Sequence, residues 1–305
     1  MQEVMDDRVV IREEVRPRLK HWLIRFAMQD KSTLFSLIVC CLIVVLTLIA
    51  PWIAPFDPEK SVADSLIAPN AVHWFGTDNT GMDVLSRMLY APRIIILISL
   101  GSLAVAILFG VPLGLIAGYY SGARGLLGKL SEGLMRFFDV LQAFPIFVLA
   151  MILMSVAEPS PISLIAVISV VNIPIYVRLM RSEVLQLRKK LYVDAARVIG
   201  NKEINVIIKH VLPNAMEPIL AQASVTIGMS ALLISGLSFV GAGISPPTPE
   251  WGSMIAIGAS DVIYGYWWPA VFPGLGLGLT VYCFALLGEG VRKFAKPTAN
   301  VDSGK

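Results

Sequence analysis

Residues 94–119 read IIILISLGSLAVAILFGVPLGLIAGY, twenty-six positions without one charged side chain. A helix needs about 20 apolar residues to cross the hydrocarbon core of a bilayer, so this run is long enough to span with tilt. The same test along the chain finds five more runs: Leu34 to about Ala54, Phe137 to about Ala157, Ile162 to about Val177, Pro218 to about Gly243, and Trp267 to about Leu287. The fourth in chain order, from Ile162, is short and holds Pro174. The reading is an all-α membrane protein with about six transmembrane helices. Composition agrees: 56% of the 305 residues are hydrophobic, 15% are charged, and the mean hydropathy is +0.71. A soluble domain carries about 25% charged residues. The chain divides into an N-terminal segment 1–33, a membrane domain 34–290 and a tail 291–305.

The first run follows a basic segment, as a signal peptide would. The leader before it exceeds thirty residues and the run is longer than an h-region of about 7–15 residues, so it reads as an uncleaved span. Lysine and arginine give the orientation. The leader holds Arg8, Arg12, Arg16, Arg18, Lys20, Arg25 and Lys31, and the next loop few, Lys60 and Arg87 among them. Arg124, Lys129 and Arg136 follow; residues 158–161 have none; the loop after the fourth run is rich, from Arg178 to Lys209. Residues 244–266 again have none, and the tail holds Arg292, Lys293, Lys296 and Lys305. Rich and poor loops alternate, which predicts cytoplasmic N- and C-termini and places Trp251, Trp267 and Trp268 at the outer interface.

The net charge of +3 is too mild to suggest nucleic acid. Cys40, Cys41 and Cys283 lie inside apolar runs and fit neither a disulfide framework nor a metal site. His21, His73 and His210 are scattered, without zinc spacing. There is no G-x-x-x-x-G-K-[ST] phosphate loop and no recognisable catalytic constellation, so the chain is expected to be no enzyme, to hold no cofactor and to draw energy from elsewhere. Gly110, Gly114 and Gly118 recur every four residues, a spacing for close helix packing or for lining a path. Arg136 and Asp139, at i and i+3, are placed to pair with each other. Pro145 and Pro174 are expected to kink their helices.

One basic loop stands apart. Residues 191–214 read LYVDAARVIGNKEINVIIKHVLPN. Tyr192–Ile199 suits a short helix with Ala195 and Ala196 at its centre; Gly200 is placed to end it in a left-handed turn, and Asn201 to cap a second helix. Ile204, Ile207, Ile208 and Val211 fall at i, i+3, i+4 and i+7, one apolar face. Pro213 would stop or redirect that helix before the fifth span. Such an elbow, with small residues and a glycine, suits close docking of another protein; an interfacial helix pair lying on lipid is the other reading.

Asp194–Ala195–Ala196, then Gly200, then Val211–Leu212–Pro213, resembles the EAA motif of ATP-binding-cassette (ABC) importer permeases, E-A-A-x-x-x-G followed by a hydrophobic residue and L-P. Asp194 replaces the motif's Glu and keeps its charge. The chain is further similar to the second permease of the dipeptide, oligopeptide and nickel branch. The resemblance there rests on residues 73–78 (HWFGTD), 81–87 (GMDVLSR), 237–243 (LSFVGAG), 246–252 (PPTPEWG), Trp267–Trp268–Pro269 and Phe272–Pro273–Gly274. It runs from about Leu34 to Arg292; Ala285, Glu289, Lys293 and Lys296 depart from that branch's pattern. The resemblance implies a type I importer permease fold in a bacterial plasma membrane. It also implies that residues 191–214 couple to an ATPase through Asp194, Ala195, Ala196, Gly200, Leu212 and Pro213. The implied partners are a second permease, two cytoplasmic ATPase subunits and an extracytoplasmic substrate-binding protein. Short peptides lead the implied substrates, ahead of nickel chelates, opines and other small polar solutes; no residue is assigned to substrate. An ion-gradient-driven secondary transporter is the alternative, though it would usually show inverted repeats and more intramembrane charge. A scaffold or channel without an energised step is a further one.

Overall fold

The computed structural model describes residues 30–295. The leader 1–29, with most of its basic residues and His21, and the tail from Lys296 lie outside the described residues. Ten α-helices follow in order among the described residues: α1 (Lys31–Ile53), α2 (Val84–Tyr119), α3 (Leu126–Ala143), α4 (Ile146–Val156), α5 (Pro161–Leu187), α6 (Leu191–Val198), α7 (Glu203–Val206), α8 (Leu212–Phe239), α9 (Trp251–Ala259) and α10 (Trp268–Ala295). A π-helical turn, Ile207–Val211, joins α7 to α8. Five helical stretches are long and apolar enough to cross a membrane, or six if the bent pair α3–α4 counts as one span.

Side chains mark where helices begin, because the first N–H groups of a helix lack intrahelical partners. The Asp83 carboxylate accepts from the Ser86 N–H at 2.8 Å and the Ser86 hydroxyl at 2.7 Å and so starts α2. Ser160 accepts from the Ser163 N–H at 3.1 Å before α5, and Pro161 occupies the first turn, where a missing N–H costs nothing. Glu250, fully buried, accepts from the Ser253 N–H at 2.8 Å before α9.

The spine of the bundle is the α2–α5 seam, where the glycine spacing finds its reason. A Cβ on Gly110 would meet the Tyr176 Cβ at 2.6 Å; on Gly114, the Val177 carbonyl at 2.5 Å; on Gly118, the Val184 Cβ at 2.8 Å. Packing is their role, through backbone approach that no larger residue permits. Two apolar clusters flank the seam. One, with Ile95, Ile98, Leu164, Ile168, Ile234 and Leu237, fills the half near the start of α2. The other continues from Tyr176, Met180 and Val184 into Val193, Ala196, Val206 and Val211, bolting the 191–211 elbow to the spans.

Several expectations are corrected. The helix that carries the second run begins at Val84, ten residues before the apolar run, with Arg87 in its first turn buried and bonded within the protein (1% exposed). The third run is no straight span: α3 and α4 meet at 92° around Phe144–Pro145. Pro145 precedes α4, while α5 runs unbroken through Pro174. Asp139 pairs with Arg178 of α5, not with Arg136, which is exposed. Trp251 and Trp268 do not sit as interfacial anchors; both are buried, and the Trp268 indole donates to the Thr77 carbonyl at 3.0 Å, while Trp267 stays exposed. Cys40, Cys41 and Cys283 are free thiols, and no cluster of potential metal ligands occurs among the described residues.

Candidate functional site

The elbow hangs from the end of the α2–α5 spine. Arg188, just past α5, donates through one guanidinium nitrogen to the carbonyls of Gly118 (3.1 Å), Tyr119 (2.9 Å) and Ser121 (2.9 Å). Those carbonyls close α2, whose last acceptors have no helical partner, and a cation there also opposes the helix dipole. Arg197 of α6 reaches the same place: it donates to the Tyr119 hydroxyl at 3.2 Å and lies 5.7 Å from that ring's centre. It also pairs with Asp194 at 2.8 Å and approaches Glu203 at 3.6 Å.

Within α6 the two alanines part company. Ala196 is buried with Val193 against the spans; Ala195 and Asp194 face outward. Gly200 turns the chain with φ +90°, a left-handed conformation, and nothing stands within 4 Å of where a Cβ would project. Asn201 does not cap α7: its side-chain amide donates back to the Ala196 carbonyl at 3.0 Å, closing α6, and Lys202 takes the cap position without a side-chain bond. The expected face of Ile204, Ile207, Ile208 and Val211 is split. Val206, Ile207 and Val211 are buried, whereas Ile204 and Ile208 are exposed. The π turn supplies the reason, since its wider winding re-phases the helix at Ile207. Pro213 sits in the first turn of α8 and does not stop the helix, because the π turn ahead of it relieves the lost N–H. Leu212 is half-buried, and Pro213 is exposed.

The tip is where the sequence reading fell short. Leu191 at the start of α6 and Val198 and Ile199 at its end are 86%, 87% and 80% exposed. Contiguous apolar surface on a monomer marks a contact to be made. The adjacent Val198–Ile199 before a turn glycine was the available signal.

A second polar feature lies between α5 and α8, in the span interior. Asn172 donates to the Ser230 hydroxyl at 3.1 Å, and the Tyr176 hydroxyl donates to Thr226 at 2.9 Å. Gln222 lies one turn before Thr226, and a cavity of about 430 Å³ opens beside these groups, walled by Ile146, Phe147 and Met229. Composition did not reveal it, because hydroxyls and amides scattered among Leu, Ile and Ala barely lower the hydropathy.

Residues 110–298 match the family described as binding-protein-dependent transport system inner membrane component, and residues 22–70 match the N-terminal TM domain of oligopeptide transport permease C. The chain belongs to this family of ABC importer permeases. Among its relatives, the di/tripeptide transport system permease protein of Pseudomonas aeruginosa is 36% identical, over 92% of each chain. The probable D,D-dipeptide transport system permease protein of Escherichia coli is 35% identical over 88% of each chain. The glutathione transport system permease protein of Pectobacterium atrosepticum is 33% identical over 94% of each. The protein is therefore a multi-pass inner-membrane permease of type I fold, a subunit of an ABC importer. The secondary-transporter alternative gains nothing from these relatives.

Proposed function

We propose that the chain forms half of the translocation path of a peptide importer, driven by separate ATPase subunits that seat on the elbow 191–214. The observation that carries this reading is the exposed apolar tip of Leu191, Val198 and Ile199 on an elbow clamped to α2 and α5. Asp194, Ala195 and Gly200 face outward beside the tip, while Ala196, Leu212 and Pro213 shape its base. A second permease would complete the path as a heterodimer, and an extracytoplasmic binding protein would deliver solute. Two cytoplasmic ATPases would bind and hydrolyse ATP; this chain would hold no cofactor and perform no catalysis of its own. The elbow would then lie in the cytoplasm with both termini.

Peptides are the favoured solute because the relatives named above carry di/tripeptide, D,D-dipeptide and glutathione transport in their names. Asn172, Gln222, Thr226 and Ser230 would line the path, since polar groups within spans mark solute routes.

The test is Gly200→Trp in the reconstituted importer. The backbone at Gly200 is left-handed and its surroundings are open, so an indole would project outward to where a partner must sit. Uptake should fall at least about tenfold, the cost of roughly 1.4 kcal/mol in seating, with the permease still folded. Full uptake in that variant would refute the assignment.

A further inference from the structure

At the end of the bundle opposite the elbow, a cavity of about 770 Å³ opens between the last turn of α1 and the first turns of α2. Pro51, Phe56, Glu59, Tyr90, Arg93 and Leu97 are among its walls. It lies apart from both the elbow and the α5–α8 polar groups.

Its chemistry is mixed in sign. Arg93 is exposed, and its guanidinium has no ion pair or hydrogen bond among the described residues. Two carboxylates line the same cavity. Asp57 is already held by Lys60 at 2.8 Å; Glu59 has no ion pair among the described residues. A guanidinium and a carboxylate, neither in an ion pair among the described residues, line one space, the carboxylate also within electrostatic reach of buried Arg87.

The surface beside Arg93 limits what can fill that space. On the same face of α2, Leu97, Leu100, Ala104 and Leu108 follow at i+4, i+7, i+11 and i+15, all exposed. Leu97 is 61% and Leu108 66% exposed, an apolar stripe that nothing among the described residues covers. On α1, Leu48 and Trp52 are exposed at the same end, Trp52 by 81%. A cation crowning an apolar stripe, beside an exposed indole, is the pattern of a membrane–water boundary.

We propose that this cavity binds the headgroup of phosphatidylethanolamine, with its phosphate on Arg93 and Tyr90, its ammonium on Glu59, and an acyl chain along Leu97, Leu100 and Leu108. A guanidinium suits phosphate oxygens through charge-assisted bonds. The carboxylate is what selects an amine-bearing headgroup, because phosphatidylglycerol would bring an anion and no cation to Glu59. A soluble zwitterionic peptide offers the same two charges but would leave the stripe below Arg93 bare. An apolar helix of another subunit would cover the stripe but leave both charges unpaired.

The test counts retained lipid. The full chain, purified with the subunits that accompany it, is placed in nanodiscs of equal phosphatidylethanolamine and phosphatidylglycerol, and bound lipids are read by native mass spectrometry. The wild type should retain phosphatidylethanolamine in preference. Arg93→Gln should cut that adduct about tenfold, the loss expected from one charge-assisted contact, while Arg93→Lys keeps most of it. Glu59→Gln should shift retention toward phosphatidylglycerol, a change of preference that simple misfolding would not produce. Equal phosphatidylethanolamine on wild type and Arg93→Gln would overturn the proposal. So would displacement of the adduct by alanyl-alanine, which points to a peptide site. Cross-linking of Leu97→Cys to another subunit, in place of labelling by a photoreactive phospholipid, would overturn it in favour of a protein interface.

Discussion

The loop junction around the first turn of α2 and the elbow at its far end handle polar and apolar groups in opposite ways. Where α2 begins, the polar side chains at the junction of the loops are buried and bonded inside the chain, while Arg93 and Glu59 stand without ion pairs among the described residues at the cavity beside it. His73 meets Asp83 at 2.9 Å under the stacked ring of Phe56, and Arg87 donates to the carbonyls of Pro58 (2.9 Å) and Pro247 (3.0 Å). These bonds join the loop after α1 to the loop before α9, so the two loops are tied through the chain's own residues. At the elbow the charges are exposed, and apolar side chains stand in the open at Leu191, Val198 and Ile199. A junction whose buried groups bond to one another is built for shape; an elbow with apolar side chains in the open is built for company.

Substitutions can break or sharpen this contrast. The largest loss of stability is expected for Arg87→Leu, which strips the Pro58 and Pro247 carbonyls of their donor, leaves the buried Asp78 carboxylate without its cation and should cost about 3 kcal/mol. Thermal unfolding in detergent checks it, and an unchanged midpoint would mean the two loops are held together by something else. Gly114→Val comes next, at about 2 kcal/mol, because its side chain must displace the Val177 backbone at the seam. A seam that accepted valine without loss would show that α2 and α5 are looser than these distances imply. The smallest change in stability is expected at the elbow, where Val198→Asp with Ile199→Asp removes exposed apolar surface and should move stability by no more than about 0.5 kcal/mol. Uptake by the assembled importer should nonetheless collapse in that double variant. Strong destabilisation there would erase the contrast, because it would mean that the tip is packed within this chain.

Much of the architecture was legible because an apolar run of membrane length suits a bilayer and little else. Five of the six runs fall on single unbroken helices, and the glycines at 110, 114 and 118 announced the seam they occupy. What escaped notice had physical causes. The first ten residues of α2 read as loop because Ser86, Arg87 and Arg93 are polar, and only tertiary bonds make a buried arginine tolerable. The 92° corner between α3 and α4 is hidden because the side chains on both sides stay apolar across Pro145. At the elbow, Gly200 could be read from its type alone, since the turn needs left-handed backbone. The π turn could not, because one extra residue per turn leaves no mark on composition and changes which isoleucines point inward.

The length of α2 gives the two contrasting ends a common fate. Its 36 residues rise about 54 Å at 1.5 Å each, well beyond a hydrocarbon core of about 30 Å. Its first turn carries Arg87 and the loops tied to it, and its last carbonyls take the Arg188 clamp under the elbow. The helix is continuous between them, with its hydrogen-bond ladder thinned only at Pro92 and Pro112. The helix is thus a push-rod with a fitting at either end: to the extent that it stays straight through Pro92 and Pro112, a tilt of a few degrees at the elbow would carry the far loops through several ångströms.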